Sequence, residues 1–437
     1  MPYRTIPDTD VSYFMLAVDE RGIENAQDPD ASNGYLSDDL LDAAAQATDV
    51  FVRIHGWQQG ASKAFGQFDS WTSAFAARPT DQALMRACRP GFKSLHLGFH
   101  WPSLAWGEGP LVAGDSFAAE PALPLEGWVN HFAEQLGDSP QVRVALRAVF
   151  EALRQNASME VLSDDARTAY MALNTALELG EEGRPGEGSA DRLAFDPDRA
   201  FNEQADLPFA FDGWGDRLLS PLRQLSFWTM KKRAKTVGEH GLRPLLARLQ
   251  GASPGLRIHL MGHSFGCIVA SAAIAGSDGA APLLRPIDSC VLLQGALSLW
   301  SYAASVNYQN GTPGYFENIL SQHKVKGPLV ATRSKHDYAV GRIYPWAAGV
   351  AGQDAFPSLP RYGAIGAFGI CGTDNTENLS MKAADEPYAM LPGKVYNVDG
   401  SHFINKIDGI SGAHSDIAGP EVAHLIWQAA LPKEDPI

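Results

Sequence analysis

The chain has 437 residues, more than one ordinary domain uses, so it is one large domain with insertions or two domains. Apolar residues make up 45% and charged residues 19%, which is enough for a sizeable core, and 35 Lys+Arg against 50 Asp+Glu give a formal charge of -15. Such acidity excludes broad electrostatic binding to nucleic acid or to anionic lipid faces, though it leaves the local charge of a pocket open.

The opening Met1-Pro2-Tyr3-Arg4-Thr5-Ile6-Pro7-Asp8 has neither the basic start nor the apolar run of a secretory signal. Val11 to Val18 is apolar but too short for a bilayer, and Asp19-Glu20 closes it. No transmembrane-length run follows. Cys88, Cys267, Cys290 and Cys371 are scattered without a C-x-x-C pair, which fits reduced, mostly buried thiols. These features predict a soluble cytoplasmic protein without an integral membrane segment, or one exported by a route that uses no such signal.

Strands are predicted at Ser12 to Val18, Val50 to Ile54, Ser94 to Phe99, Arg257 to Met261, Ser289 to Leu293, Leu329 to Thr332 and Lys394 to Val398. Several are apolar along their whole length, as strands covered on both faces are. Helical patterns alternate with them, including Leu222 to Leu249, Ile268 to Ala275 and Glu421 to Ala430, the last opened by Pro420. This alternation predicts an α/β protein with a mainly parallel central sheet and helices on both faces.

Between Gly107 and about Arg223 the alternation stops. Leu125 to Leu136, Val142 to Leu153 and Asp165 to Leu179 each place apolar residues three to four apart, the mark of amphipathic helices. A helical cap is therefore expected at 107–223, between core segments 1–106 and 224–437. The Gly/Glu-rich stretch Gly180 to Gly188 reads as a mobile link within it. A second long connection, Ala339 to Pro392, carries Trp346, Phe356, Tyr362 and Phe368 and is expected to form another rim of the pocket.

The chemistry centres on Arg257-Ile258-His259-Leu260-Met261-Gly262-His263-Ser264-Phe265-Gly266-Cys267, an apolar strand running through G-x-S-x-G into a helical run. A serine forced onto such a turn projects its hydroxyl clear of the backbone, and the flanking glycines let strand and helix pass closely. Ser264 is the candidate nucleophile. A hydroxyl needs a base to take its proton, and that base needs a carboxylate to fix its tautomer. After a nucleophile elbow these follow in the order acid, then histidine. Asp337, in the loop after Leu329 to Thr332, is the candidate acid, with Asp399 at the end of the last strand as its rival; Asp288 precedes its strand and lies at the wrong end. His414, in a loop of small residues, is the candidate base and His402 the alternative. The N–H groups of Phe265 and of Trp57, in Ile54-His55-Gly56-Trp57, are the candidate oxyanion donors.

With His55-Gly56, Trp101-Pro102-Ser103 and His263-Ser264-Phe265-Gly266 in this order, the core resembles the α/β-hydrolase superfamily, nearest to bacterial serine hydrolases with an H-G, W-P-S, H-S-x-G layout. The resemblance covers the core on either side of the insertion. It implies an α/β-hydrolase fold and cofactor-free hydrolysis of a small-molecule or lipid carboxylic ester by a carboxylesterase or lipase-like Ser-His-Asp triad. The same residues also serve thioesterases, amidases and acyltransferases, and a non-catalytic hydrolase-fold binding protein is the rival from another class. Lys231-Lys232-Arg233-Ala234-Lys235 reads as a solvated helix face, or as a contact for an anionic head group. Trp101, Trp106, Trp228 and Trp300 serve equally as pocket lining or as core. No metal-ligand spacing, P-loop or dinucleotide fingerprint is present.

Overall fold

The computed structural model describes residues 4–431 apart from 7–8, 10, 29–30, 33, 58–60, 104–123, 156–160, 182, 204–217, 310 and 348–358. The strands are β1 Arg4–Thr5, β2 Ser12–Ala17, β3 Asp49–Ile54, β4 Ser94–His100, β5 Arg257–His263, β6 Ser289–Leu293, β7 Leu329–Arg333, β8 Thr376–Ser380 and β9 Val395–Asp399. They form one sheet in the order β1-β2-β4-β3-β5-β6-β7-β9-β8, parallel throughout except for the β1–β2 pair.

Period-two alternation along each strand feeds two apolar layers. Val50, Val52 and Ile54 of β3 and Cys290 and Leu292 of β6 face the helices Leu36–Ala44, Ser220–Val237, Arg243–Ala252 and Gly266–Ala275. Phe51 of β3 and Val291 and Leu293 of β6 face the helices Ala61–Ala76 and Pro420–Ala430. Burial on both faces is why these strands read as continuous apolar runs.

The helices Leu125–Leu136, Pro140–Gln155, Asp164–Ala176 and Pro197–Glu203 lie between β4 and β5, and no strand interrupts them among the described residues. Trp128, Phe132, Leu146, Phe150, Tyr170 and Leu173 join the same apolar layer as β3, so this segment packs onto the main core. Trp106 and Phe356 lie outside the described residues, as does the side chain of Trp346. No helix among the described residues is long and apolar enough to cross a membrane, and all four cysteines are free.

The structure corrects several expectations. The sequence pattern misses β1 and β8, one two residues long and the other a polar edge strand, because neither buries an apolar face. The helix expected over Leu222 to Leu249 is broken by a π-helical turn at Gly238–Leu242. A Cβ on Gly238 would stand 2.5 Å from the Val269 carbonyl, so the turn sits where backbone presses on backbone. The Gly180 to Gly188 stretch is packed rather than a free link: Gly186 N–H donates to the Asp191 carboxylate at 3.0 Å and Tyr315 N–H to the Pro185 carbonyl at 2.8 Å.

The basic run on the helix Ser220–Val237 is not a solvated face. Lys231 is fully buried, its Nζ donates to Tyr344 Oη at 2.8 Å, and Tyr344 Oη donates to Asp191 Oδ2 at 3.3 Å. The ammonium also lies 4.4 Å from the Trp228 ring centre, a cation–π contact. Burial lowers the Lys231 pKa to about 8 and raises that of the Asp191 carboxyl, opposed in each case by the partner's charge. Arg233 reaches the carbonyls of Pro102 at 3.0 Å and Gln135 at 2.8 Å, so it joins the W-P-S loop to the end of the helix Leu125–Leu136. Removing one member of a buried pair strands the other charge, so Lys231→Met should cost about 3–5 kcal/mol in a denaturant melt. The double variant Lys231→Met/Asp191→Asn should recover most of that loss, and a single variant as stable as the parent would show that the pair is not coupled.

Candidate active site

In a parallel sheet every strand points its carboxyl end at the same edge. The chain runs outward from β3 to β4 and then crosses to the other side of β3 to build β5. At such a reversal the loops leave in opposite directions and a crevice opens between them. His55-Gly56-Trp57 follows β3, Ser264 follows β5, Gln294 follows β6, Asp337 follows β7 and His414 lies in the chain after β9.

Ser264 has φ +55°, left-handed backbone that costs a non-glycine residue about 1–2 kcal/mol. Three hydrogen bonds hold it there: its N–H donates to the Leu293 carbonyl at 3.1 Å, and its carbonyl accepts from Cys267 N–H at 3.1 Å and Ala296 N–H at 3.2 Å. Gly262 and Gly266 are required by proximity, since a Cβ on either would stand 2.5 Å or less from backbone atoms of Gly266 or Ile54. Gly56 has the same reason: a Cβ there would meet the Ser264 Cβ at 2.7 Å, so close approach and not a special turn selects glycine. Ser264 is 6% exposed, and its hydroxyl has no hydrogen-bond partner among the described residues.

Asp337 and His414 are brought together. His414 Nδ1 lies 2.8 Å from Asp337 Oδ2, with the carboxylate wholly buried and the imidazole 12% exposed. The carboxylate also accepts from Gln294 Nε2 at 2.9 Å and from Val340 N–H at 3.1 Å. Their loops are zipped by a bridge between Asp337 and Gly412 and by Ala413 N–H donating to the His336 carbonyl at 2.7 Å. With Nδ1–H given to the carboxylate, the neutral ring keeps a lone pair on Nε2.

Sequence reasoning misses two residues that position this pair. Gln294 is fully buried with φ +47°. It accepts at Oε1 from Thr332 Oγ1 at 3.0 Å, which leaves its amide nitrogen to reach Asp337. Its signal, a polar residue ending the apolar strand Ser289–Leu293, is shared by many turn residues. His263 holds the base loop: its Nε2 donates to the His414 carbonyl at 2.8 Å, and the two rings stand 4.8 Å apart. Its Nδ1 then accepts from Gln67 Nε2 at 3.2 Å.

The rival pair is not assembled. His402 is exposed with its ring edge-on to Phe403. Asp399 accepts from Ser401 N–H at 3.0 Å and faces Arg333 at 3.4 Å. At the wrong end of the sheet, Asp288 accepts from Ile258 N–H at 2.8 Å.

His55 organises the loop that carries Trp57. Its Nδ1–H donates to the Gly56 carbonyl at 2.8 Å, and its Nε2 accepts from His100 Nδ1 at 2.8 Å and Trp101 N–H at 3.3 Å. The Trp101 indole donates to the His55 carbonyl at 3.0 Å, so the W-P-S tryptophan is a strut of this loop. In a trans peptide the N–H points opposite to the carbonyl, so drawing the Gly56 carbonyl to the His55 ring turns the Trp57 N–H away from it. Neither Trp57 N–H nor Phe265 N–H has a backbone acceptor among the described residues. The Trp57 ring stacks on Phe265 at 5.6 Å, Phe227 closes the group edge-on at 5.7 Å, and the buried Trp57 indole N–H has no acceptor among the described residues. Of the other tryptophans, Trp228 is core and half-buried Trp300 donates to the Pro360 carbonyl at 3.0 Å.

Burial keeps several of these histidines neutral. It pushes His55 down to about 3 and His100 to about 4, and holds His96 and His263 well below the ordinary value. The unfolded chain therefore binds more protons than the folded one between about pH 6.5 and 4, and stability rises with pH across that window. Scanning calorimetry should show the unfolding temperature falling steadily as pH drops from 7 to 4.5; a flat profile would contradict burial of these rings in the neutral state.

Among the described residues no cluster of His, Cys, Asp or Glu is arranged to hold a metal ion. No protein-family model, curated protein or solved structure matches this chain.

Proposed function

We propose that this chain is a serine hydrolase with the α/β-hydrolase arrangement, cleaving carboxylic esters through an acyl-enzyme on Ser264. The observation that carries this reading is the 2.8 Å bond between Asp337 and His414, made at the sheet edge where Ser264 is held in left-handed backbone. Such strain persists only where surrounding bonds over-determine it, and it clusters at functional sites.

In the proposed reaction His414 Nε2 takes the Ser264 proton as Oγ bonds to the acyl carbon. The carbonyl oxygen becomes an oxyanion held by the N–H groups of Phe265 and Trp57. Collapse breaks the bond to the alcohol oxygen, which leaves with the proton from His414. Water then attacks the acyl-enzyme by the same route and frees the acid. Asp337 holds the imidazole tautomer and stabilises its protonated form, and Gln294 and Val340 N–H fix the carboxylate. Trp57, Phe227 and Phe265 give the site an apolar wall suited to the acyl or alcohol part of a small-molecule or lipid ester. The helices between β4 and β5 are read as its cap, covering 107–223.

A fluorophosphonate probe should label the protein at Ser264 alone, with nitrophenyl esters of graded chain length reporting turnover. Ser264→Ala and His414→Ala should each lower kcat/KM by roughly 10^4–10^6-fold and Asp337→Ala somewhat less, because the three act as a unit. His402→Ala and Asp399→Asn should leave both readouts unchanged; a dead His402→Ala beside a normal His414→Ala would reverse the choice of base. A protein that neither labels nor turns over any ester would be a binding protein on this scaffold.

A further inference from the structure

On the face of the sheet opposite the cap helices, β3 places a cation among aromatic and aliphatic side chains. Arg53 is 2% exposed and projects into the layer formed by the helices Ala61–Ala76 and Pro420–Ala430. No carboxylate pairs with it among the described residues. Its Nη1 faces His96 Nδ1 at 3.3 Å, and its guanidinium carbon lies 5.0 Å from the Phe75 ring centre. Burial keeps His96 neutral, and its Nε2 contacts Ser94 Oγ at 3.2 Å, which leaves Nδ1 as acceptor toward Arg53. Arg53 Nη2 is buried and has no acceptor among the described residues.

A second orphaned donor belongs to the same place. Trp71 is 4% exposed, and its indole N–H also lacks an acceptor among the described residues. Arg53, Trp71, Phe75, Met261, Ile417 and Ile426 line one small recess with room for about one particle the size of a water molecule. Among the described residues no carboxylate lines the recess. A guanidinium withdrawn from water without a counter-charge is among the costliest groups to bury.

We propose that this recess is a binding site for a monatomic anion of the chloride class, held by Arg53 Nη2 and the Trp71 indole N–H. The anion neutralises the buried guanidinium and accepts from both orphaned donors. Sulfate, phosphate and organic carboxylates are too large for the space, and a water molecule would satisfy the donors without balancing the charge. The proposal does not rest on the proposed reaction, although the Trp71 ring stands edge-on to His263 at 6.1 Å.

Thermal unfolding of the full chain in sodium chloride or bromide against sodium gluconate, at constant ionic strength and pH, tests it. The halides should raise the unfolding temperature along a saturable curve, by about 2–3 °C between 1 and 100 times the dissociation constant. Trp71→Phe should shift that curve to higher halide, and Arg53→Met should abolish it. Crystals soaked in bromide should give an anomalous peak between Arg53 and Trp71. Equal curves in halide and gluconate, a halide effect undiminished in Trp71→Phe, or no bromide peak in the recess would overturn the proposal. The parent protein and Trp71→Phe keep the test decisive if Arg53→Met does not fold.

Discussion

Backbone crowding where β3 and β5 end governs the arrangement of the candidate site. Helix Gly266–Ala275 begins against the last residues of β3, with Gly266 so near the Ile54 carbonyl that a Cβ would stand 2.3 Å from it. Gly262 lies under the same turn, and Gly56 is pressed against the Ser264 Cβ. Three backbone segments therefore meet here, with the Ser264 Cβ against Gly56. That closeness brings the loop after β3 beside Ser264. A methyl group at any of these positions would push apart the groups that the proposed chemistry needs together.

Around this point the sheet edge gathers residues that are far apart in the chain. Asp337 and His414 meet because β7 and β9 are adjacent, with Arg333 in register with Asp399, so the segments that follow leave from the same level. Gln294 enters from the end of β6, the strand between β5 and β7, and passes support from Thr332 to the Asp337 carboxylate. His263 links the strand before Ser264 to the loop of His414 from the other side. Gln294 and His263 are themselves held by further hydrogen bonds, to Thr332 and to Gln67. Such layering restricts an imidazole to one tautomer and one orientation.

Much of this was legible in the sequence because the signals are local. Seven strands announce themselves by apolar runs, and the strand-to-helix turn around Ser264 by its glycines. Asp337 and His414 followed from their order and their places after strands. What escaped detection depends on neighbours distant in sequence. Lys231 looked solvated because four of five residues from Lys231 to Lys235 are basic, yet Asp191 and Tyr344 arrive from elsewhere to bury it. Gln294 resembles any polar strand end until Thr332 and Asp337 flank it. His402 sits as close to its strand as a packed histidine would, but the chain turns it outward.

The helix Gly266–Ala275 shows how electrostatics and local sequence act together. Its first turn carries no capping side chain and no acid, and the N–H of Phe265, the residue before it, has no backbone acceptor among the described residues. At its other end Arg243 donates to the carbonyls of Ala273 at 2.9 Å and Ile274 at 3.1 Å, and Lys324 to that of Ala275 at 2.6 Å. Cations at the C-terminus satisfy the exposed carbonyls and favour the helix dipole, while the positive N-terminus is left open beside Ser264. A serine, threonine or aspartate cap at this N-terminus would stabilise the helix by about 1 kcal/mol but would compete for the same N–H groups. The small and aliphatic run from Gly266 to Ala275, buried along its whole length, allows the helix to do without that cap. Packing and the distant cations thus hold the helix without a capping side chain at its amino end.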